Sequence, residues 1–218
     1  MSHLYGPTHR ALQDRHGTQR LADRLESLAH PEFDAADRAF VEGAALFFLS
    51  TVDHRGWPTV SYKGGAPGFV RVTAPGELAF PSYDGNGMFL SLGNLGASPQ
   101  VGLLFIDFAH PRRLRVQGTA RLPDADPLLA AYPGAEAVVR VAVETMFVNC
   151  GRYIHTGAPG ALSRHVPDAA GRQPFPAWKR IAPLAETLGE ADRQAVEAAG
   201  GPIDPEAYRG EGMPPDAA

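Results

Sequence analysis

Residues 53–108 are the part of the chain that most restricts its fold. They read DHRGWPTVSYKGGAPGFVRVTAPGELAFPSYDGNGMFLSLGNLGASPQVGLLFIDF. Short apolar or alternating runs are separated by loops rich in Gly and Pro, as in strands joined by tight turns. The regular alternation of strands and long amphipathic helices that builds a parallel sheet does not occur. The stretch therefore predicts an antiparallel sheet that closes on itself as a small barrel.

The same patterns extend beyond this stretch in both directions. Seven strands are predicted, at 45–52, 59–63, 69–72, 77–80, 101–108, 113–122 and 138–149. Helices are predicted at 18–29, from Asp34 onward, at 86–95 and around 128–132. Thr18 and Asp34 have the side chains preferred at helix N-caps. The expected fold class is mainly β, a β-barrel with flanking helices.

Three regions of the chain differ in composition and pattern. Residues 1–36 are expected to form an N-terminal helical arm, and residues 37–156 the barrel. From residue 156 onward the chain is rich in Gly, Pro, Ala and charged residues. Residues 157–218 are therefore expected to form a C-terminal extension that is partly helical and ends in a loose tail.

The bulk composition excludes several classes of protein. The 218 residues have a net charge of −4, which argues against a nucleic-acid binder with a basic face. The single cysteine, Cys150, rules out an internal disulfide and a cysteine cluster for zinc. The polar N-terminus lacks the apolar core of a signal peptide, and no apolar run is long enough to span a bilayer. We expect a cytoplasmic protein.

Familiar catalytic motifs are missing from the sequence. The eight histidines are scattered and show no HExxH or HxxxH spacing, so no metal site is expected. The sequence contains no GxSxG elbow, no GxxxxGK[ST] loop and no GxGxxG between a strand and a helix. Cys150 ends an apolar strand, where a packed thiol is expected rather than a nucleophile.

Polar residues and glycines cluster where the predicted strands end. The first group is Ser61, Tyr62, Lys63, Gly64 and Gly65, the second is Ser82, Tyr83, Gly85, Asn86 and Gly87, and Asn94 follows in a predicted helix. Glycines let a ligand approach the main chain, and a lysine can neutralise a phosphate. Such groups suit a flat cofactor that carries a phosphate. A glycine turn with a solvated lysine is the competing interpretation.

Two further features are candidate phosphate partners. The segment 81–86 leads into a predicted helix, whose first backbone amides can bind an anion, although Asn86 could cap that helix instead. Arg112, Arg113 and Arg115 are also candidates because a guanidinium binds phosphate through two hydrogen bonds. The competing interpretation is a solvated face of a sheet.

Three segments carry a resemblance to a known family. They are FFLSTVDHRGWPTVSYKGGAPGFVRV, LAFPSYDGNGMFLSLGNL and VGLLFIDFAHPRRLRVQGTARL. Together they resemble the pyridoxamine 5'-phosphate oxidase-like family of FMN-binding split β-barrels, over about residues 40–155. The resemblance implies an antiparallel split β-barrel of the FMN-binding type. It also implies a homodimer with FMN at the subunit interface.

The resemblance also assigns residues to the flavin site. Ser61, Tyr62 and Lys63 match the strand that borders the flavin ring and phosphate, next to Gly64. Pro81, Ser82 and Tyr83 match the next strand end. The remaining matched positions are Asn86, Gly87, Met88 and Arg113. Asn86, Gly87 and Met88 stand where the oxidases have Ser-Arg-Lys on the phosphate, and Arg113 stands at a Gln position that reaches the flavin.

These departures shape the functional expectation. Because two phosphate-binding cations are replaced by Gly87 and Met88, Lys63 or an arginine must compensate. The oxidases' Arg-Leu-His substrate segment is not found either. We therefore expect an FMN-dependent oxidoreductase that does not oxidise pyridoxamine phosphate, with no nucleic acid or membrane partner.

Three alternatives to that expectation remain. The first is a flavin- or haem-binding carrier or sensor without turnover, in which His54, His110 or His155 would ligate the haem iron. The second is a reductase dependent on deazaflavin. The third is a structural homodimer with an empty cleft.

Overall fold

The computed structural model describes residues 2–83, 87–155 and 174–208. The helices are α1 (Pro7–His16), α2 (Gln19–Glu26), α3 (Ala35–Gly43), α4 (Leu90–Ala97), α5 (Ala182–Ala185) and α6 (Glu190–Ala198). The strands are β1 (Leu46–Val52), β2 (Pro58–Gly64), β3 (Arg71–Ala74), β4 (Glu77–Tyr83), β5 (Gln100–Asp107), β6 (Arg112–Arg121) and β7 (Ala135–Asn149). Short 3-10 helices span Pro127–Ala131, Ala177–Arg180 and Pro205–Ala207.

The seven strands form one sheet in the order β2-β1-β5-β6-β7-β4-β3. The pairings of β1 with β2 and β5, of β4 with β3 and β7, and of β6 with β7 are antiparallel. Burial alternates along β1 and β6, so one face of the sheet is packed and the other is more open. The prediction of a mainly β, antiparallel fold is confirmed.

Aromatic side chains close this sheet on itself. The ring of Phe47 on β1 lies 5.0 Å from that of Phe80 on β4 and 5.1 Å from that of Phe105 on β5. The ring of Phe69 stacks on Phe47 at 5.9 Å. Since β1 and β4 are far apart in the sheet order, their contact rolls the sheet around a common core. Removing each ring from water contributes roughly 1.5–3 kcal/mol.

The chain divides into two compact units. One unit comprises residues 30–107 and 113–149, which include the whole core of the sheet. The other comprises residues 1–29, 108–112 and 150–218. Within this second unit, Ala185, Leu188 and Val196 form a small core with Leu21 and Phe175 packed against it.

Local side-chain chemistry explains two boundaries in the barrel unit. Asp34 caps α3, since its carboxylate accepts a hydrogen bond from the amide of Asp37 at 2.7 Å, as predicted. Asp53 organises the turn between β1 and β2, because one carboxylate oxygen accepts the amides of Arg55 and Trp57. The other oxygen bonds the Arg55 guanidinium at 2.6 Å. Together these bonds fix the register of the hairpin.

Several predicted boundaries differ from the structure. The helix predicted at 86–95 begins at Leu90, with Phe89 at its N-cap, so Asn86 is not the cap residue; Asn86 itself lies outside the described residues. Thr18 precedes α2 but makes no side-chain capping bond. The third strand starts at Arg71 instead of residue 69. Within the described ranges, no helix combines the length and hydropathy needed to cross a bilayer.

Candidate functional site

A cleft of about 250 Å³ opens where β1 and β2 meet the end of β4. Its walls are Leu49, Tyr62, Lys63, Gly64, Phe69, Phe80, Pro81, Ser82, Tyr83 and Leu92. Six of these residues belong to the predicted flavin site: Tyr62, Lys63 and Gly64 on β2, and Pro81, Ser82 and Tyr83 on β4. The fold thus brings together two segments that the sequence separates by about seventeen residues.

Lys63 provides the positive charge of the cleft. Its ammonium is half-buried, and this burial lowers the pKa of Lys63 below its usual value. No carboxylate of the described residues lies within ion-pair distance of it. The only hydrogen bond of Nζ within those residues goes to Oγ of Ser91, at 3.3 Å. A partly dehydrated cation with one hydroxyl partner among the described residues is suited to bind an anion.

Two hydroxyl groups accompany this ammonium. Oγ of Ser91, in the first turn of α4, lies 3.0 Å from Oγ of Ser61 on β2. Ser61, Lys63 and Ser91 therefore present hydroxyls and an ammonium at one place, which we call the Lys63 cluster. Ser61 and Lys63 are predicted from the sequence, but Ser91 is not, because the predicted helix begins four residues too early to place Ser91 in its first turn.

Tyr62 forms an aromatic wall of the cleft. Its ring contacts Phe48 edge to face at 6.0 Å and folds back over Gly64. A Cβ on residue 64 would lie 2.7 Å from Cε1 of Tyr62, so a larger residue would displace the ring. Glycine at this position therefore keeps the ring of Tyr62 at the edge of the cleft.

The opposite wall comes from the end of β4. Pro81 is buried, Ser82 is half-buried and Tyr83 is 41% exposed. Pro81 and Ser82 pair with Val138 and Ala137 of β7, which fixes their positions. The cleft thus lies between two partly exposed tyrosines. A flat ring system can pack against such aromatic walls.

The remaining predicted residues lie elsewhere. Gly87 and Met88 are exposed and do not line the cleft. They precede Phe89, whose backbone is left-handed (φ 48°, ψ 25°), a conformation that is costly for a residue with a side chain. Arg113 lies on β6, away from the cleft, and its Nε is buried with no hydrogen-bond partner among the described residues.

No set of three or more His, Cys, Asp or Glu side chains within the described ranges is arranged to hold a metal ion. The cleft instead combines one cation, hydroxyls, aromatic rings and an apolar floor. These groups suit an organic anion with a flat ring.

Comparison with known proteins assigns the family. The family model of pyridoxamine 5'-phosphate oxidase matches residues 33–152, more than half of the chain. The chain belongs to that family, as the sequence resemblance predicted. A search of curated proteins gives no match.

Solved structures share parts of the fold. A Lactobacillus delbrueckii protein described as a candidate pyridoxamine 5'-phosphate oxidase is 24% identical, with 54% of this chain and 95% of that chain covered and a TM-score of 0.43. Group A Streptococcus HupZ is 16% identical, with coverages of 53% and 93% and a TM-score of 0.44. HutZ, the haem storage protein of Vibrio cholerae, is 21% identical, with coverages of 50% and 89% and a TM-score of 0.36.

Proposed function

We propose that this protein binds FMN in the cleft and acts as a flavin-dependent oxidoreductase. The observation that carries the proposal is the Lys63 cluster at a cleft walled by tyrosines. Family membership supports it, since the resemblance that predicted the family also implies FMN.

The charge of the cleft fits the phosphate of FMN. Phosphate carries about −1.5 to −2 charges at pH 7, and Lys63 is a half-buried cation without a carboxylate partner among the described residues. Ser61 and Ser91 add hydroxyl donors at the same point. In the oxidases an Arg-Lys pair binds the phosphate, and Gly87 and Met88 occupy those two positions here. Lys63, Ser61 and Ser91 take over the role of that pair.

The size of the cleft supports a second subunit. Its volume of about 250 Å³ is below the roughly 300–1,000 Å³ of pockets that enclose a small molecule. A cleft of this size is consistent with one chain supplying one wall of a larger site. We infer a homodimer in which the partner supplies the other wall, with Arg113 a candidate for that role because its Nε has no hydrogen-bond partner among the described residues.

The bound FMN would supply the electron-transfer chemistry. The side chains of this chain have simpler tasks: Lys63, Ser61 and Ser91 hold the phosphate, Tyr62 and Tyr83 flank the ring, and Leu49 and Phe80 keep water from its inner edge. No acid or base of the described residues lines the cleft except Lys63 and the tyrosines. The substrate is proposed to be other than pyridoxamine phosphate, as the missing Arg-Leu-His segment indicates.

Paired titrations with FMN and riboflavin test the proposal, because riboflavin has the same ring without the phosphate. Wild-type protein should bind FMN roughly ten- to a hundredfold more tightly than riboflavin, the effect of a charged hydrogen-bonding partner. Lys63→Met should remove most of that difference and leave riboflavin affinity unchanged. Deazaflavin and haem are titrated alongside. Binding of either one without binding of FMN would contradict the proposal.

A further inference from the structure

A second set of polar contacts continues the Lys63 cluster along α4. Thr59, Ser61 and Lys63 lie on one side of β2, because alternate residues of a strand face the same way. Ser91 and Asn94 lie on one side of α4, since residues three apart on a helix are neighbours. The amide nitrogen of Asn94 donates to Oγ1 of Thr59 at 3.2 Å. The polar side of β2 (Thr59, Ser61 and Lys63) and the polar side of α4 (Ser91 and Asn94) therefore contact each other at both ends.

The Asn94 end of this contact is buried. Asn94 is 7% exposed and Thr51 is 1% exposed. The amide of Asn94 also donates to Oγ1 of Thr51 at 2.9 Å, and the two threonine hydroxyls lie 2.8 Å apart. Thr51 and Thr59 are paired residues of β1 and β2. One side-chain amide thus fixes the helix to two strands at their paired position.

This attachment determines where the first turn of α4 lies. A helix rises about 1.5 Å per residue, so a slide by one residue would break the 3.3 Å contact between Ser91 and Lys63. Apolar packing of Leu92 and Leu95 tolerates small slides, because the hydrophobic effect is not directional. The hydrogen bonds of Asn94 are directional, so they do not tolerate such slides.

We propose that Asn94 is a positioning residue for the anion site: through Thr51 and Thr59 it holds α4 where Ser91 meets Lys63. The ligand chemistry is that of a phosphate group, and in this respect the inference rests on the proposed binding of FMN. The contacts among the six side chains (Thr51, Thr59, Ser61, Lys63, Ser91 and Asn94) are independent of which flavin binds.

The experiment uses one substitution of Asn94, a matched pair of substitutions at Thr59 and one control for stability. Asn94→Leu keeps the side-chain volume and removes both amide bonds. Thr59→Val removes one hydroxyl at nearly constant shape, and Thr59→Ser retains it. Val141→Ala is the control for lost stability, because Val141 is buried on β7 and pairs with residues that do not line the cleft.

The first readout needs no ligand. The sequence has two lysines, Lys63 and Lys179, so lysine labelled with 13C at Cε gives two signals, and Lys179→Arg assigns them. We expect the titration of Lys63 to move toward the ordinary lysine value in Asn94→Leu and Thr59→Val, because a displaced helix lets water reach the ammonium. It should stay at its wild-type position in Thr59→Ser and in Val141→Ala.

The second readout is the affinity ratio of FMN to riboflavin. The ratio should fall about tenfold in Asn94→Leu and Thr59→Val, as for loss of one good hydrogen bond, and persist in Thr59→Ser. If those two variants lose stability alone, with the Lys63 titration and the ratio unchanged, Asn94 is structural and the inference is wrong. If wild-type protein binds neither flavin, the proposed function fails, and the Lys63 titration still decides the role of Asn94.

Discussion

At the scale of single residues, Lys63 is the most informative side chain. A lysine that loses part of its hydration without gaining a carboxylate costs stability. The described residues offer its ammonium one serine hydroxyl. Such a cost is typical of positions where a protein keeps a charge for a ligand.

The stability of the ligand-free protein should therefore increase in Lys63→Met. Burial lowers the pKa of Lys63 in the folded state, so the unfolded chain holds its proton more tightly and the charged form opposes folding. Thermal unfolding of both proteins without flavin measures the difference. The stability difference between wild-type protein and Lys63→Met should shrink as the pH rises through the lowered pKa of Lys63 toward 10.5, the ordinary value. A less stable variant at pH 7 would show that the ammonium has a partner that stabilises it.

The affinity for FMN should fall in the alkaline range, as the pH rises through the lowered pKa of Lys63 toward 10.5. The phosphate stays doubly charged there, since its second pKa is about 6. Lys63 loses its proton at a lower pH than an ordinary lysine, because its pKa is lowered. Lys63→Arg is the matched control, because a guanidinium stays charged throughout. Fluorescence titration at successive pH values gives both profiles. Parallel profiles for the two proteins would exclude Lys63 as the titrating group.

Much of the candidate site is visible in the sequence at this scale. Tyr62, Lys63 and Gly64, and Pro81, Ser82 and Tyr83, were found because each group ends a recognisable strand. Ser91 was missed, since its role depends on the residue at which α4 begins. No local pattern marks that start, because the N-cap is Phe89 in a left-handed conformation, which is not a typical capping signal.

At the scale of elements, the β1–β2 hairpin carries one side of the cleft. Its turn depends on Asp53, whose pKa is lowered to about 2, first by the hydrogen bond from the Arg55 guanidinium and then by the amides of Trp57 and Arg55. The carboxylate thus stabilises the folded state wherever it is ionised.

Replacement of Asp53 by Asn should lower the unfolding temperature at neutral pH, because the amide loses the charge that holds Arg55. A group with a lowered pKa contributes fully above its unfolded value, 3.8, and loses its contribution as the pH falls to about 2. The difference between wild-type protein and Asp53→Asn should therefore shrink steadily over that interval. Calorimetric scans across the acid range measure it, and a constant difference down to pH 2 would contradict the account.

The existence of the strands and helices was predicted better than the residues at which they begin and end. All seven strands were found, because alternation and Gly-Pro turns are strong signals. Helix α1 was missed as a separate element, and none of its residues is buried. An exposed helix has no apolar stripe from which it could be recognised.

At the scale of the whole molecule, the open edge of the barrel points to assembly. Strand β2 is the first strand of the sheet order, and Val60 and Tyr62 on it are 68% and 61% exposed, with Trp57 in the preceding turn 66% exposed. An edge strand with exposed apolar residues is a typical site for association with another chain. This face agrees with the proposed homodimer.

Light scattering should therefore give twice the chain mass of 23.2 kDa. Val60→Lys should shift the protein toward the monomer and weaken FMN binding, because the second wall of the site would be lost. Ala130→Lys, on an exposed 3-10 helix, is the control that adds the same charge elsewhere. A monomeric wild-type protein that binds FMN would refute the dimer while leaving the cleft as the site.

The visible spectrum of the purified protein is the most direct test of FMN binding. After incubation with FMN and removal of free flavin, we expect the two-banded absorption of an oxidised flavin, at one FMN per chain. The bands should be weaker in Lys63→Met at the same protein concentration. A protein that stays colourless after incubation with FMN would show that the cleft is not an FMN site.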